Sequence, residues 1–172
     1  MTKASQTQEL TIARIFNAPC EKVWKAWTNP KEVKRWWGPK IFTAPSCEID
    51  FREGGKYLFC MQSDQGEEVW KKGIWNTGVY KEIVPLKKIV CTDCFADELG
   101  NVVPATHYGM EGMPSELEIT LTFDEVKDGL PIGEEVKTKM TLHHSGLPEE
   151  MKEMCKTGWT ESFDKLNEIL KN

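Results

Sequence analysis

Two short arrangements in this chain carry side chains that could hold a metal or move a proton: Cys91-Thr92-Asp93-Cys94 and the adjacent pair His143-His144. A Cys-x-x-Cys pair can offer two thiolates to zinc or form a redox couple. Here the pair falls in "KKIVCTDCF", which reads as a strand, so residues three apart point to opposite faces. No second such pair supplies the remaining ligands. The two histidines fail as joint ligands for a similar reason, because neighbours on a strand face opposite ways. Only one can look inward. Met140, Leu142 and His144 share a phase, which puts His144 on the core side and His143 in water. An inward histidine beside a cavity can donate a hydrogen bond or act as a general base, and it can equally be a buried ring tied to a backbone carbonyl.

Nucleophilic catalysis finds less support. There is no G-x-S-x-G turn, no papain-like or caspase-like cysteine context and no glycine-rich phosphate loop. "EGGK" reads as a hairpin turn. Glu48 with Asp50, and Glu116 with Glu118, occupy the polar phase of strands, where carboxylates are solvated. The sequence therefore assigns no catalytic residue, no metal ligand and no cofactor.

The elements that must position these groups follow from periodicity. "QELTIARIF" alternates like a half-buried strand. Pro19 opens a short helix with Val23, Trp24 and Trp27 on one face; Asn29 caps a second, with Pro30 at its first position, Val33, Trp36 and Trp37 on its apolar side, and Gly38-Pro39 as its stop. Strands follow at "CEIDF", "KYLFCMQ", "KKIVCTDCF", "ELEITLTF" and "VKTKMTLHH", the last two joined by a glycine-containing turn at "VKDGLPIGEE". The stretch 69–84 reads as one long strand, bulged or bent at Gly73 or Gly78. Residues 97–115 show no period and read as a long loop. From Pro148 onward apolar residues recur at steps of three and four, predicting an amphipathic helix on the order of 35 Å long.

The fold class is α+β: a curved antiparallel sheet of about six or seven strands wrapped on a long C-terminal helix, with two short helices after the first strand. The whole chain, residues 1–172, reads as one domain. A straight helix cannot fill both ends of a curled sheet, so an apolar cavity of roughly 300 to 1,000 Å³ is expected where the short helices and the long loop close one end. Gly158 and Ser162, on the apolar face of the helix, are too small to fill their share of it. Trp36 and Trp37 are expected to wall its mouth, one of them packing inward as core. Trp24, Trp27 and Trp159 fall in the middle of apolar helix faces and read as core. The candidate ligand-binding set is Trp37, Tyr57, Trp75 and Phe163, together with Met110, Met113, His144 and, from its place on the long helix, Trp159.

The segments "FNAPCEKVWKAWTNPKEVKRWWGP", "CEIDFREGGKYLF", "GVYKEIVPLKKIVCTDCF" and "MTLHHSGLPEEMKEMCKTGWTESFDKL", in that order, resemble the activator of heat shock protein 90 ATPase homologue (AHSA-type) family. That family lies within the START-like, SRPBCC or Bet v 1-like helix-grip superfamily. The resemblance spans about residues 8 to 170. It implies the helix-grip fold with a cavity between sheet and C-terminal helix, and no single activity, since relatives include small-molecule binders, polyketide cyclases and chaperone co-factors.

Composition narrows the partners. A net charge of −5 opposes a nucleic-acid surface, and Lys31, Lys34 and Arg35 read as the solvated face of a helix. No apolar run suits a signal peptide or a bilayer span, so the expected location is the cytoplasm and the six cysteines read as reduced thiols. The leading expectation is a binder of a small hydrophobic or aromatic molecule. The alternatives are a cyclase or dehydratase using His144 in the same cavity, and a module that regulates a chaperone ATPase through its outer surface. Monomer and homodimer both stay open.

Overall fold

Alternating apolar and polar residues build seven strands: β1 (Thr7–Phe16), β2 (Thr43–Ile49), β3 (Lys56–Gln62), β4 (Ile74–Val84), β5 (Lys88–Ala96), β6 (Leu117–Val126) and β7 (Lys137–Pro148). The structure is a computed structural model that describes residues 7–127, 129, 131–132 and 136–171. The strands form one antiparallel sheet in the order β1-β7-β6-β5-β4-β3-β2, a meander to whose last strand β1 is added. Register places inward residues side by side, with Ile12 opposite Leu142, Leu142 opposite Leu121, and Ile119 opposite Cys91. A slip of one residue would turn each of these to the wrong face. Register shifts at Gln8/Leu10, Thr43/Ser46 and Tyr80/Glu82 bend the ribbon.

Two helices, α1 (Cys20–Thr28) and α2 (Pro30–Val33), follow β1. The Asn29 side chain accepts from the Lys31 amide at 2.9 Å and caps α2, and Pro30 supplies the pre-set first position. Helix α4 (Lys152–Leu170) crosses the concave face. Its Phe163, Leu166 and Leu170 are buried in one cluster with Phe16, Trp27, Trp36, Met140 and Leu142. Each such side chain contributes about 1.5 to 3 kcal/mol by leaving water. Trp36 is 0% exposed and its indole donates to the Ala26 carbonyl at 2.9 Å, so this ring is core.

Three elements differ from the sequence reading. The stretch 69–84 is not one strand, because Glu68–Lys72 forms a short helix, α3, that ends at Gly73 with φ of +100°. Five residues are too few to show a helical period. The bulge of β4 lies between Tyr80 and Glu82 instead. Gly78 serves another purpose: a Cβ there would stand 2.7 Å from Tyr57 Cε1 and 1.9 Å from the Thr92 carbonyl oxygen. Its bare backbone lets the Tyr57 ring pass over β4 and donate its hydroxyl to Thr92 O at 2.8 Å.

The 97–115 segment contains a 3-10 turn, Ala105–Tyr108, and the Tyr108 hydroxyl accepts from the Trp75 amide while donating to Ala96 O. Pro148 ends β7 rather than opening the last helix; a 3-10 turn, Glu149–Met151, leads into the 19 residues of α4. The turn expected at "VKDGLPIGEE" lies partly outside the described residues, as do the first residues of the chain. Among the described residues no helix is long and apolar enough to cross a membrane.

Candidate functional site

The turn after α2 brings Trp37, Gly38 and Pro39 over the middle of α4. Gly38, with φ of +94°, makes the reversal possible, and its missing side chain leaves room for Phe42 and Met61. From α4, Lys165 reaches back to this turn, and its ammonium donates to the carbonyls of Gly38 at 2.9 Å and Phe42 at 2.8 Å, with longer bonds to Trp37 and Pro39. Burial pulls the Lys165 amine below its ordinary pKa, with Glu161 partly opposing that.

Beneath this strap lies a cleft of about 140 Å³ between α4 and the sheet. Trp37 and Trp159 form its aromatic walls, their ring centroids 5.6 Å apart and their planes at 83°. Gly158 and Ser162 line it from α4, as their size predicted, and Met61, Asn76 and Asp93 line it from β3, β4 and β5. The volume is below the expected range because the Tyr57, Phe59 and Phe163 rings fill the neighbouring interior. It is close to the roughly 150 Å³ of an engineered void known to take benzene. Larger hollows lie elsewhere, such as one of about 490 Å³ bounded by Lys72, Asp97, Glu98 and His107, but charged side chains edge it and no pair of indoles walls it.

Asp93 continues the inward phase of Ile89 and Cys91 along β5. Its Oδ1 accepts from Asn76 Nδ2 at a long 3.4 Å. Its Oδ2 lies 3.3 Å from Nε2 of His144, an atom that is buried without an aligned hydrogen bond. On the other side of the ring, His144 Nδ1 accepts from the Trp159 indole at 3.1 Å, which assigns the ring proton to Nε2, facing Asp93. Cys155 completes the lining; burial and the charge of Asp93 push its thiol up to about 11, so it is a neutral thiol at neutral pH. The Asp93 carboxylate can therefore meet a cation, accept a hydrogen bond or take a proton from a bound molecule.

Of the residues singled out from the sequence, Trp37 and Trp159 stand in the cleft wall, and His144, 4% exposed, stands behind Trp159. Met113 packs near Trp159 and Cys155 at the small cluster of Leu10, Leu117 and Leu147. Met110 is half-buried and outside the lining. Tyr57 and Phe163 belong to the main core. Trp75 borders the separate 490 Å³ hollow with Tyr108. Asp93, Asn76 and Met61 were not anticipated. For Asp93 a signal existed: an acid two residues beyond Cys91 in the inward phase of a strand.

Cys91 and Cys94 are both buried and unbonded, with β5 holding them on opposite faces. Among the described residues no group of three or more His, Cys, Asp or Glu is placed to hold a metal ion.

A curled antiparallel sheet gripping a C-terminal helix, with a cleft between the two, defines a helix-grip protein. Residues 17–171 match the family model described as "Activator of Hsp90 ATPase homolog 1-like protein", and the chain belongs to that family. No curated protein matches the sequence. Solved structures share the fold at low identity. A crystal structure of a protein from Chromobacterium violaceum is 24% identical with a TM-score of 0.69, covering 95% of this chain and 97% of its own. A solution structure from Arthrobacter aurescens is 24% identical with a TM-score of 0.72, covering 98% and 89%. The AHSA1 protein from Silicibacter pomeroyi is 19% identical with a TM-score of 0.68, covering 95% and 98%.

Proposed function

We propose that this protein binds a small hydrophobic or aromatic molecule, one ring or a short hydrocarbon in size, in the cleft that Trp37 and Trp159 border between α4 and the sheet. The observation that carries the reading is an unfilled volume of about 140 Å³ between α4 and the sheet, bordered by two indoles. Two small residues on the apolar face of α4, Gly158 and Ser162, keep that volume open where larger side chains would close it. Filling it returns dispersion contacts that the lining now lacks and removes apolar ligand surface from water.

The test is a thermal-shift and tryptophan-fluorescence titration with single-ring compounds, using Gly158→Leu as the filled-cleft control. A ligand selective for the native state raises the melting temperature. The shift is expected in the native protein and lost in the control, and an equal shift in both abandons the cleft as the site. Regulation of a chaperone, which the family description raises, would act through the outer surface and would be indifferent to Gly158→Leu.

A further inference from the structure

The lining of the cleft carries one charge. Among the described residues that form it, Asp93 supplies the sole carboxylate; Cys155 is held as a thiol, and the rest are aromatic, thioether, amide, hydroxyl or glycine and proline surface. That carboxylate is poorly partnered. Its side chain is 16% exposed, its amide donor is at 3.4 Å, and the neighbouring His144 N–H is buried at 3.3 Å without alignment. A neutral ring entering the cleft would strip water from Asp93 and give nothing back, and an anion would be repelled. Burying an uncompensated carboxylate is costly.

Trp37 and Trp159, in edge-to-face contact at 83° with centroids 5.6 Å apart, border the cleft with aromatic surface, and the negative face of an aromatic ring draws a cation. Among the described residues no lysine or arginine is part of the lining, and the Lys165 ammonium is turned into the carbonyls of Gly38 and Phe42.

Resting on the cleft-binding reading above, we infer that the ligand is a small organic cation: a primary or secondary amine carried on one ring or a short hydrocarbon. The ammonium pairs with Asp93 beside the rings of Trp37 and Trp159, and the hydrocarbon occupies the space beside Gly158, Ser162 and Met61. His144, fixed by the Trp159 indole, is a positioning residue that turns its Nε2–H toward Asp93.

The experiment compares three probes of one shape and different charge, benzylamine, benzyl alcohol and benzoate, titrated at neutral pH by isothermal calorimetry and tryptophan fluorescence. Benzylamine is expected to bind about tenfold or more tighter than benzyl alcohol, as a charge-assisted hydrogen bond provides, with benzoate weakest. Asp93→Asn, which keeps the shape, is expected to abolish the gap while benzyl alcohol still binds, and that retained binding reports a folded cleft. Benzyl alcohol binding as tightly as benzylamine to the native protein overturns the amine inference and leaves the cleft-binding reading standing. A gap that persists in Asp93→Asn also overturns it. Failure of all three probes to bind removes both readings together.

Discussion

The indole of Trp159 donates to His144 Nδ1 across 3.1 Å, joining the middle of α4 to β7 through one half-buried bond. Trp159 thereby does two jobs, since one side of its ring walls the cleft and its N–H orients the histidine beside Asp93. Trp159→Phe keeps a ring but leaves a buried acceptor unpaired, which costs about 1 to 3 kcal/mol. Urea unfolding checks this. In a double-mutant cycle with His144→Leu, which removes the stranded acceptor, the coupling is expected at about 0.5 to 3 kcal/mol. Strict additivity would show that the bond contributes nothing.

Gly158 stands within α4, and an added Cβ would meet only Pro39 Cγ at 3.6 Å, an ordinary contact. Gly158→Ala should stabilise the protein by about 0.5 to 1 kcal/mol through lower backbone entropy in the unfolded chain. The same substitution narrows the cleft, so ligand affinity should fall as the denaturation midpoint rises. A variant that gains stability without losing affinity would separate the cleft from the ligand.

Gly78 is the opposite case, because its missing side chain is needed. The Cβ of Gly78→Ala would sit 1.9 Å from Thr92 O and 2.7 Å from the Tyr57 ring, and the first of these is backbone. Overpacking of this kind costs about 1 to 3 kcal/mol or more. The loss should be read by thermal unfolding, and amide exchange should quicken across β3, β4 and β5, which share the crossing. Unchanged stability would mean that the strands part more easily than their hydrogen bonds suggest.

Alkaline pH should weaken the fold. Burial pushes the thiols of Cys60, Cys94 and Cys155 up to about 11 and that of Cys47 up to about 12, from an ordinary 9.0. Between those values the unfolded chain has lost protons that the folded one keeps, so the stabilisation is whole below pH 9 and declines as pH rises toward 11 and 12. Urea midpoints measured under reducing conditions should fall across that window, and alanine at Cys155 should flatten part of the slope. A midpoint that climbs there would contradict the sign.

Much of this architecture is legible in residue spacing. Alternation marks the strand faces, Asn29 before α2 and Pro30 at its first position mark its start, and Gly158 and Ser162 are visible as gaps in an otherwise apolar helix face. The site is less so, for identifiable reasons. Phase reveals which way Tyr57 and Phe163 point but not how deep they lie, and both are core. The pair Trp36-Trp37 had to divide between core and wall, and only the packing of α2 against Trp27 selects Trp36 for the interior. Asp93 was overshadowed by the flanking cysteines, whose spacing suggests a metal. The short helix α3 leaves too faint a period to read, and Trp75, just beyond it, borders a hollow other than the one beside Trp37 and Trp159.

The placement of β1 next to β7 sets an order of events for a chain emerging from the ribosome. Leu10 and Ile12 are made more than a hundred positions before their cross-strand neighbours, His144 and Leu142. The meander of β2 to β6 can assemble while β1 waits with its edge unpaired, a state in which such an edge invites other chains. Closing the β1–β7 seam carries the largest loop-closure cost of any pairing in the sheet, which opposes its early formation.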